Sequence, residues 1–302
     1  MFALADWPLE ARRGLLGLFT DIDDTLTTHG AITPDALQAL ADLRAAGLHV
    51  VAITGRSAGW SEPFAAAWPV DAIVAENGAV ALIPSSEEGR PAAGPPQGRL
   101  RPLGGQRRHE VPSVGATERA PAGRSVLSKR YRQEAATRAA NQARMQAVLL
   151  RIEREIAGAR RAADSPGREC DIAIDHGEFT QLGEARIAAV LALMHSEGMH
   201  ASVSSIHING WYGEHDKLAG ARWIVRELWR RTLDDEIDRW ACVGDSTNDQ
   251  TMFAAFAHSI GVANIARFVP QLAHLPRYVT QGERGAGFAE VARAVLGSRR
   301  AR

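Results

Sequence analysis

Leu15-Leu16-Gly17-Leu18-Phe19-Thr20-Asp21-Ile22-Asp23-Asp24-Thr25-Leu26 sets a short apolar run directly against a cluster of carboxylates. Such a run reads as a strand buried on both faces, and its acids then fall at the carboxyl end, where open parallel sheets hold ligands. Residues two apart in an extended chain point the same way, so Asp21 and Asp23 can converge. Alone, an Asp-x-Asp turn is equally well explained by helix capping or a bend. The rest of the chain has to decide.

Working outward, apolar runs at 48–53, 72–75, 240–243 and 260–263 repeat the pattern of 15–19, with amphipathic stretches between them. Strands alternating with helices predict an α/β fold with a Rossmann-like parallel-sheet core. The spacing predicts a helix after the first strand, with Thr33 as its cap, Pro34 in its first turn, Leu37, Leu40 and Leu43 on one face, and Gly47 at its end. Further helices are expected from near Lys217, after Asn248, and over 288–296.

The texture changes at 84–128, where seven prolines and seven glycines fall in 45 residues, which reads as a long loop. Order resumes with an expected helix over 139–157, an alternating strand at 170–174, a helix at 185–194 and one strand at 201–208. This unit, set between two parts of a parallel-sheet domain, predicts an inserted α/β cap domain. The expected division is core 1–83, cap 84–208 including the loop, and core 209–302.

The 302 residues balance 35 Lys+Arg against 35 Asp+Glu, which argues against a wholesale nucleic-acid or anionic-membrane binder and favours a small ligand. Cys170 and Cys242 form no Cys-x-x-Cys pair, so neither a disulfide framework nor a thiolate metal site is expected. The N-terminal residues lack a basic end followed by an apolar run, and no segment reaches about 18 uninterrupted apolar residues, so the expected location is the cytoplasm.

A second acidic cluster, Gly244-Asp245-Ser246-Thr247-Asn248-Asp249, also follows an apolar run. If its strand neighbours the first, the acids at 21, 23, 245 and 249 share one pocket. Pairs at about 4 Å then repel by about 4 kcal/mol at an effective dielectric near 20, which calls for a cation. An all-oxygen set with no clustered His or Cys selects a hard ion, Mg²⁺. Thr54-Gly55-Arg56 ends the second strand, with a hydroxyl and backbone N–H groups able to hold an anion. Lys217 is one of two lysines in an arginine-rich chain. It sits where a cation opposes the helix dipole, so a purely structural account of it is weak. Carboxylates, a cation, a hydroxyl and an ammonium together describe a phosphate site.

These four elements, in this order, resemble the motifs of the haloacid dehalogenase-like hydrolase superfamily. Asp21 to Leu26 match D-x-D-x-T-L, Thr54 the strand-end threonine, Lys217 the lysine, and Gly244 to Asp249 match G-D-x-x-N-D. Glu76-Asn77-Gly78-Ala79 and the position of the insert are similar to the large α/β-cap subclass, which includes sucrose-phosphate, trehalose-phosphate and mannosyl-phosphoglycerate phosphatases. Asp24 departs from the glycine of many relatives.

The resemblance implies that Asp21 attacks phosphorus and Asp23 acts as acid and then base. Asp21, Asp23 (through its backbone oxygen) and Asp245 would hold Mg²⁺, and Asn248 and Asp249 would hold the metal's waters or orient Lys217. Thr54, Gly55 and Lys217 would bind the phosphoryl oxygens. Substrate choice is expected in the cap, at 204–212, with Arg56, Glu76, Asn77, His207 and Asn209 as candidate contacts. The expected function is a Mg²⁺-dependent phosphatase of a phosphorylated sugar or related small metabolite. A sugar phosphomutase, a phosphorylatable signalling module and a noncatalytic phosphate or polyanion binder are the alternatives, and the oligomeric state is left open.

Overall fold

Residues 1–84 and 127–300 are described by the structure, a computed structural model. The Pro- and Gly-rich stretch expected as a loop falls, but for its ends, outside the described residues. Among them a nine-stranded sheet runs in the spatial order Phe2–Ala3, Tyr278–Val279, His258–Gly261, Trp240–Gly244, Gly17–Thr20, His49–Ile53, Ala72–Ala75, Val80–Pro84 and Leu127–Tyr131. The pairings are parallel as far as Ala72–Ala75, and the last two are antiparallel. The sheet thus takes in Leu127–Tyr131, whose first two residues were expected in the loop.

The strands are apolar on both faces because both faces are covered. Leu18, Val50, Ala52, Ile73, Ala75, Ala241 and Val243 pack on one side, with the helices Pro34–Ala45, Ala58–Ala67 and Arg284–Arg300. Their alternating neighbours Phe19, Val51, Ile53, Val74, Trp240 and Cys242 face the other side, against Lys217–Trp229 and Gln250–Ala255. Phe19 and Trp240 stack at 5.1 Å inside that second layer, where truncating either would cost about 3–5 kcal/mol.

The helix after the first strand starts at Pro34, as the sequence predicts, but Thr33 makes no side-chain cap bond and its hydroxyl is unpartnered. Gly47 follows it at φ 78°, a left-handed turn that suits glycine.

A smaller sheet, in the order His200–Val203, His207–Trp211, Ile172–Asp175 and Arg160–Arg161, is antiparallel throughout. Helices Ala135–Glu155 and Glu184–Ser196 cover it through Met145, Leu149, Ile152, Val190 and Met194. The single strand expected over 201–208 is instead a hairpin that continues to Trp211. Apolar and polar residues mix along 201–208 as in a strand, but Ser204 turns the chain: its hydroxyl accepts the His207 N–H at 3.0 Å. The fold is a Rossmann-like core with an inserted α/β cap.

Candidate active site

The register places three loops at one edge. Thr20 pairs with Ala52 on one side and with Val243 on the other, so Asp21, Thr54 and Asp245 leave adjacent parallel strands at the same end. Lys217 reaches them from the first turn of its helix, which Asp216 caps by accepting the Ala219 N–H at 2.7 Å. That turn packs on the Glu76–Gly78 loop through two glycines: a Cβ on Gly220 would stand 2.6 Å from Gly78 Cα.

Lys217 Nζ donates to Asp21 Oδ1 at 2.6 Å and to Asp249 Oδ1 at 2.7 Å, all three side chains being buried. Burial works against its ammonium, and the two carboxylates outweigh that and raise its pKa. Asp249 Oδ2 accepts the N–H groups of Asp245 and Ser246, so one carboxylate shapes the loop and orients the lysine. Burial pushes Asp21 up to about 7 against the opposing pull of Lys217, and burial with the nearby Asp21 and Asp249 charges lifts Asp245 well above the ordinary carboxylate range.

Asp245 is fully buried; its Oδ2 accepts from Asn264 Nδ2 at 3.1 Å and from Arg267 at 3.2 Å, and its Oδ1 has no partner. Oxygens of Asp21, Asp245 and Asp249 lie within 4.8 Å of one another. An orphaned buried carboxylate oxygen in an all-oxygen set fits a hard divalent cation such as Mg²⁺. Asn248 lies beside this group, half-buried, with Oδ1 accepting the Ser246 hydroxyl.

The Asp23 carboxylate is not part of this convergence. Arg56 holds it with a fork of bonds at 2.8–3.1 Å, and the same guanidinium donates to Glu178 of the cap at 2.9 and 3.0 Å. Glu178 is also bonded by His207 at 3.0 Å. Thr54 Oγ1 accepts the Arg56 N–H, and the Gly55 carbonyl accepts from Asn209 Nδ2 and from Arg168 of the cap, each at 3.0 Å. Asn209 Nδ2 and Arg168 meet again at Asp171. Asn77 and Asn209 crowd Gly55, and Asn77 Nδ2 and Asn209 Oδ1 are unpartnered. Glu76 accepts backbone N–H groups from Ala58, Glu169 and Cys170. It ties the core to the foot of the cap, and burial followed by Asp171 raises it to about 8.

Sequence reasoning did not find Glu178, Arg168, Asp171, Asn264 or Arg267. The only available signal was the turn after Ile172–Asp175, where Asp175 accepts the N–H groups of Gly177, Glu178 and Phe179.

Residues 18–91 match the family model of the haloacid dehalogenase-like hydrolases. Over this stretch, which carries Asp21, Asp23 and Thr54, the chain is similar to that family. No curated protein sequence matches it. Among solved structures, this chain is similar to a Thermoplasma acidophilum protein at 14% identity, with 93% of this chain and 99% of that one covered and a TM-score of 0.63. It is similar also to the Synechocystis sucrose-phosphatase solved with sucrose and phosphate, at 14% identity, 94% and 98% coverage and a TM-score of 0.58. A Bacteroides thetaiotaomicron protein, described among phosphatases of the haloalkanoate (HAD) enzyme superfamily, aligns at 16% identity, 94% and 96% coverage and a TM-score of 0.53. At these identities the likeness speaks for the fold. No described helix is long and apolar enough to cross a membrane.

Proposed function

We propose that this chain is a Mg²⁺-dependent phosphatase of a small phosphorylated metabolite, a sugar phosphate in particular, working through an aspartyl-phosphate on Asp21. The observation that carries this reading is the buried Lys217 ammonium between Asp21 and Asp249, beside the unpartnered Asp245 Oδ1. Lys217 orients the Asp21 carboxylate and neutralises part of the charge around it. Asp21, Asp245 and the Asp23 backbone carbonyl would hold the cation, with Asp249 and Asn248 behind them. Bound there, Mg²⁺ would supply positive charge for the carboxylates and the phosphoryl oxygens.

Asp21 attacks phosphorus, an Asp21–phosphorus bond forms, and the bond to the leaving oxygen breaks as Asp23 gives that oxygen a proton. Water then attacks the aspartyl-phosphate, loses a proton to Asp23, and releases inorganic phosphate. Thr54, the Gly55 N–H and Lys217 would bind the phosphoryl oxygens. The unpartnered Asn77 Nδ2 and Asn209 Oδ1, a donor and an acceptor beside Gly55, suit a sugar hydroxyl. Among the other cap-side candidates, Arg56 and His207 would line the same subsite when Glu178 releases them, and Glu76 serves as a tie. We place the cap between the main-sheet strand ending at Tyr131 and the end of the hairpin at Trp211.

The test is a panel of sugar phosphates with and without Mg²⁺, reading inorganic phosphate. Wild type should release it only with the metal, and Asp21→Asn should be inactive while retaining the wild-type circular dichroism. Turnover by Asp21→Asn refutes the nucleophile, and isomerised sugar phosphate without free phosphate identifies a mutase instead.

A further inference from the structure

Asp24 occupies a backbone position that suits glycine, at φ 56°. Its carboxylate is engaged on both oxygens: Oδ2 accepts from Arg267 at 2.8 Å and Oδ1 from Arg284 Nε at 2.9 Å. The same Arg267 nitrogen stands 3.2 Å from Asp245 Oδ2. Asn264 closes the arrangement. Its Nδ2 joins the Asp24 carbonyl to Asp245 Oδ2 at 3.0 and 3.1 Å, and its Oδ1 accepts the Arg284 N–H at 2.8 Å. One carboxylate outside the converging acids thus binds two arginines, and one of them, Arg267, also reaches the partnered oxygen of Asp245.

A guanidinium next to a buried metal ligand is a competitor. Left to itself, Arg267 would neutralise Asp245 and stand in for the cation, because a buried carboxylate gains most from the nearest positive charge. Asp24 prevents this by offering the closer bond. We propose that Asp24 is a positioning residue that tethers Arg267, so that the arginine steadies Asp245 Oδ2 without competing for the carboxylate, leaving Oδ1 to the divalent ion. This deepens the metal reading above and rests on it.

Mg²⁺ is titrated calorimetrically, without substrate, into wild type, Asp24→Gly, Arg267→Ala and the double variant, with Asp24→Asn as a version that keeps the side-chain shape. Asp24→Gly should bind Mg²⁺ about tenfold more weakly, and Asp24→Asn should fall between it and wild type. Arg267→Ala should bind at least as tightly as wild type, Asn264 still holding Oδ2, and the double variant should match Arg267→Ala within about threefold. Wild-type affinity in Asp24→Gly overturns the proposal. So does a double variant as weak as Asp24→Gly, since the loss would then come from the missing Asp24 charge and not from a freed arginine. If wild type itself binds no Mg²⁺ and releases phosphate equally without it, the metal reading fails first and takes the tether with it.

Discussion

Replacing Glu178 with glutamine keeps the shape of the side chain and removes the charge that joins Arg56 to the cap. Burial pulls this carboxylate up, but the bonds from His207 and Arg56 outweigh burial and hold it down from 4.5 at about 2. That difference is worth about 3 kcal/mol at roughly 1.4 kcal/mol per pH unit. The side chain is 19% exposed, and solvent screening lowers the expected contribution to about 1–2 kcal/mol. Arg56 keeps its fork on Asp23, so the substitution leaves no stranded guanidinium to inflate the loss. A carboxylate held low in the folded protein stabilises it above the unfolded value near 4.5 and stops doing so as pH falls through about 2. Thermal melts of wild type and Glu178→Gln at pH 7 should therefore differ by roughly 2–5 °C. The gap should narrow between pH 5 and pH 3. Equal melting at pH 7, or a gap unchanged down to pH 3, would refute the view that this charge fastens the cap to Arg56.

Two further outcomes follow from the same geometry. Asp21 is raised to about 7 in the metal-free protein, so the folded state holds a proton that the unfolded chain gives up near 3.8. Metal-free stability should thus decline as pH rises from about 4 through about 7, and the gain in melting temperature on adding Mg²⁺ should be larger at pH 7.5 than at pH 5.5; the reverse order would show that Asp21 does not give up its proton to the cation. Helix propensity alone would make Gly220→Ala stabilising by about 1 kcal/mol, but the new Cβ would meet Gly78 Cα at 2.6 Å and must push the Lys217 helix away. Overpacking of this kind costs about 1–3 kcal/mol, so chemical denaturation should show a net loss together with weaker phosphate release. A variant as stable as wild type would mean that the helix can shift without cost.

The contrast between Lys217 and Arg56 shows why part of the site was legible in the chain. Lys217 was conspicuous because a lysine is rare in this sequence and because its helix position opposes the dipole, which made a purely structural account of it weak. The acids at 21 and 245 follow apolar runs, and parallel strands buried on both faces bring such loops to one edge. Arg56 was also visible, as the residue after Thr54-Gly55, but its grip on Glu178 crosses 122 positions from core to cap, and no periodicity encodes such a pair. The hairpin inside 200–211 was missed for a local reason: a serine hydroxyl made the turn that glycine or asparagine usually marks.

By itself, then, the sequence determined the α/β layering, the order of the motifs and the acids within the first and fourth of them, because hydrophobic alternation and strand-end loops are properties of contiguous residues. Only the tertiary structure decided which oxygens are engaged. Asp249 is consumed by Lys217 and two N–H groups, Asp23 by Arg56, and one oxygen of Asp245 is left without a partner. Those assignments depend on side chains from across the chain meeting at hydrogen-bonding distances of 2.7–3.2 Å, and such contacts exist only once the chain has packed.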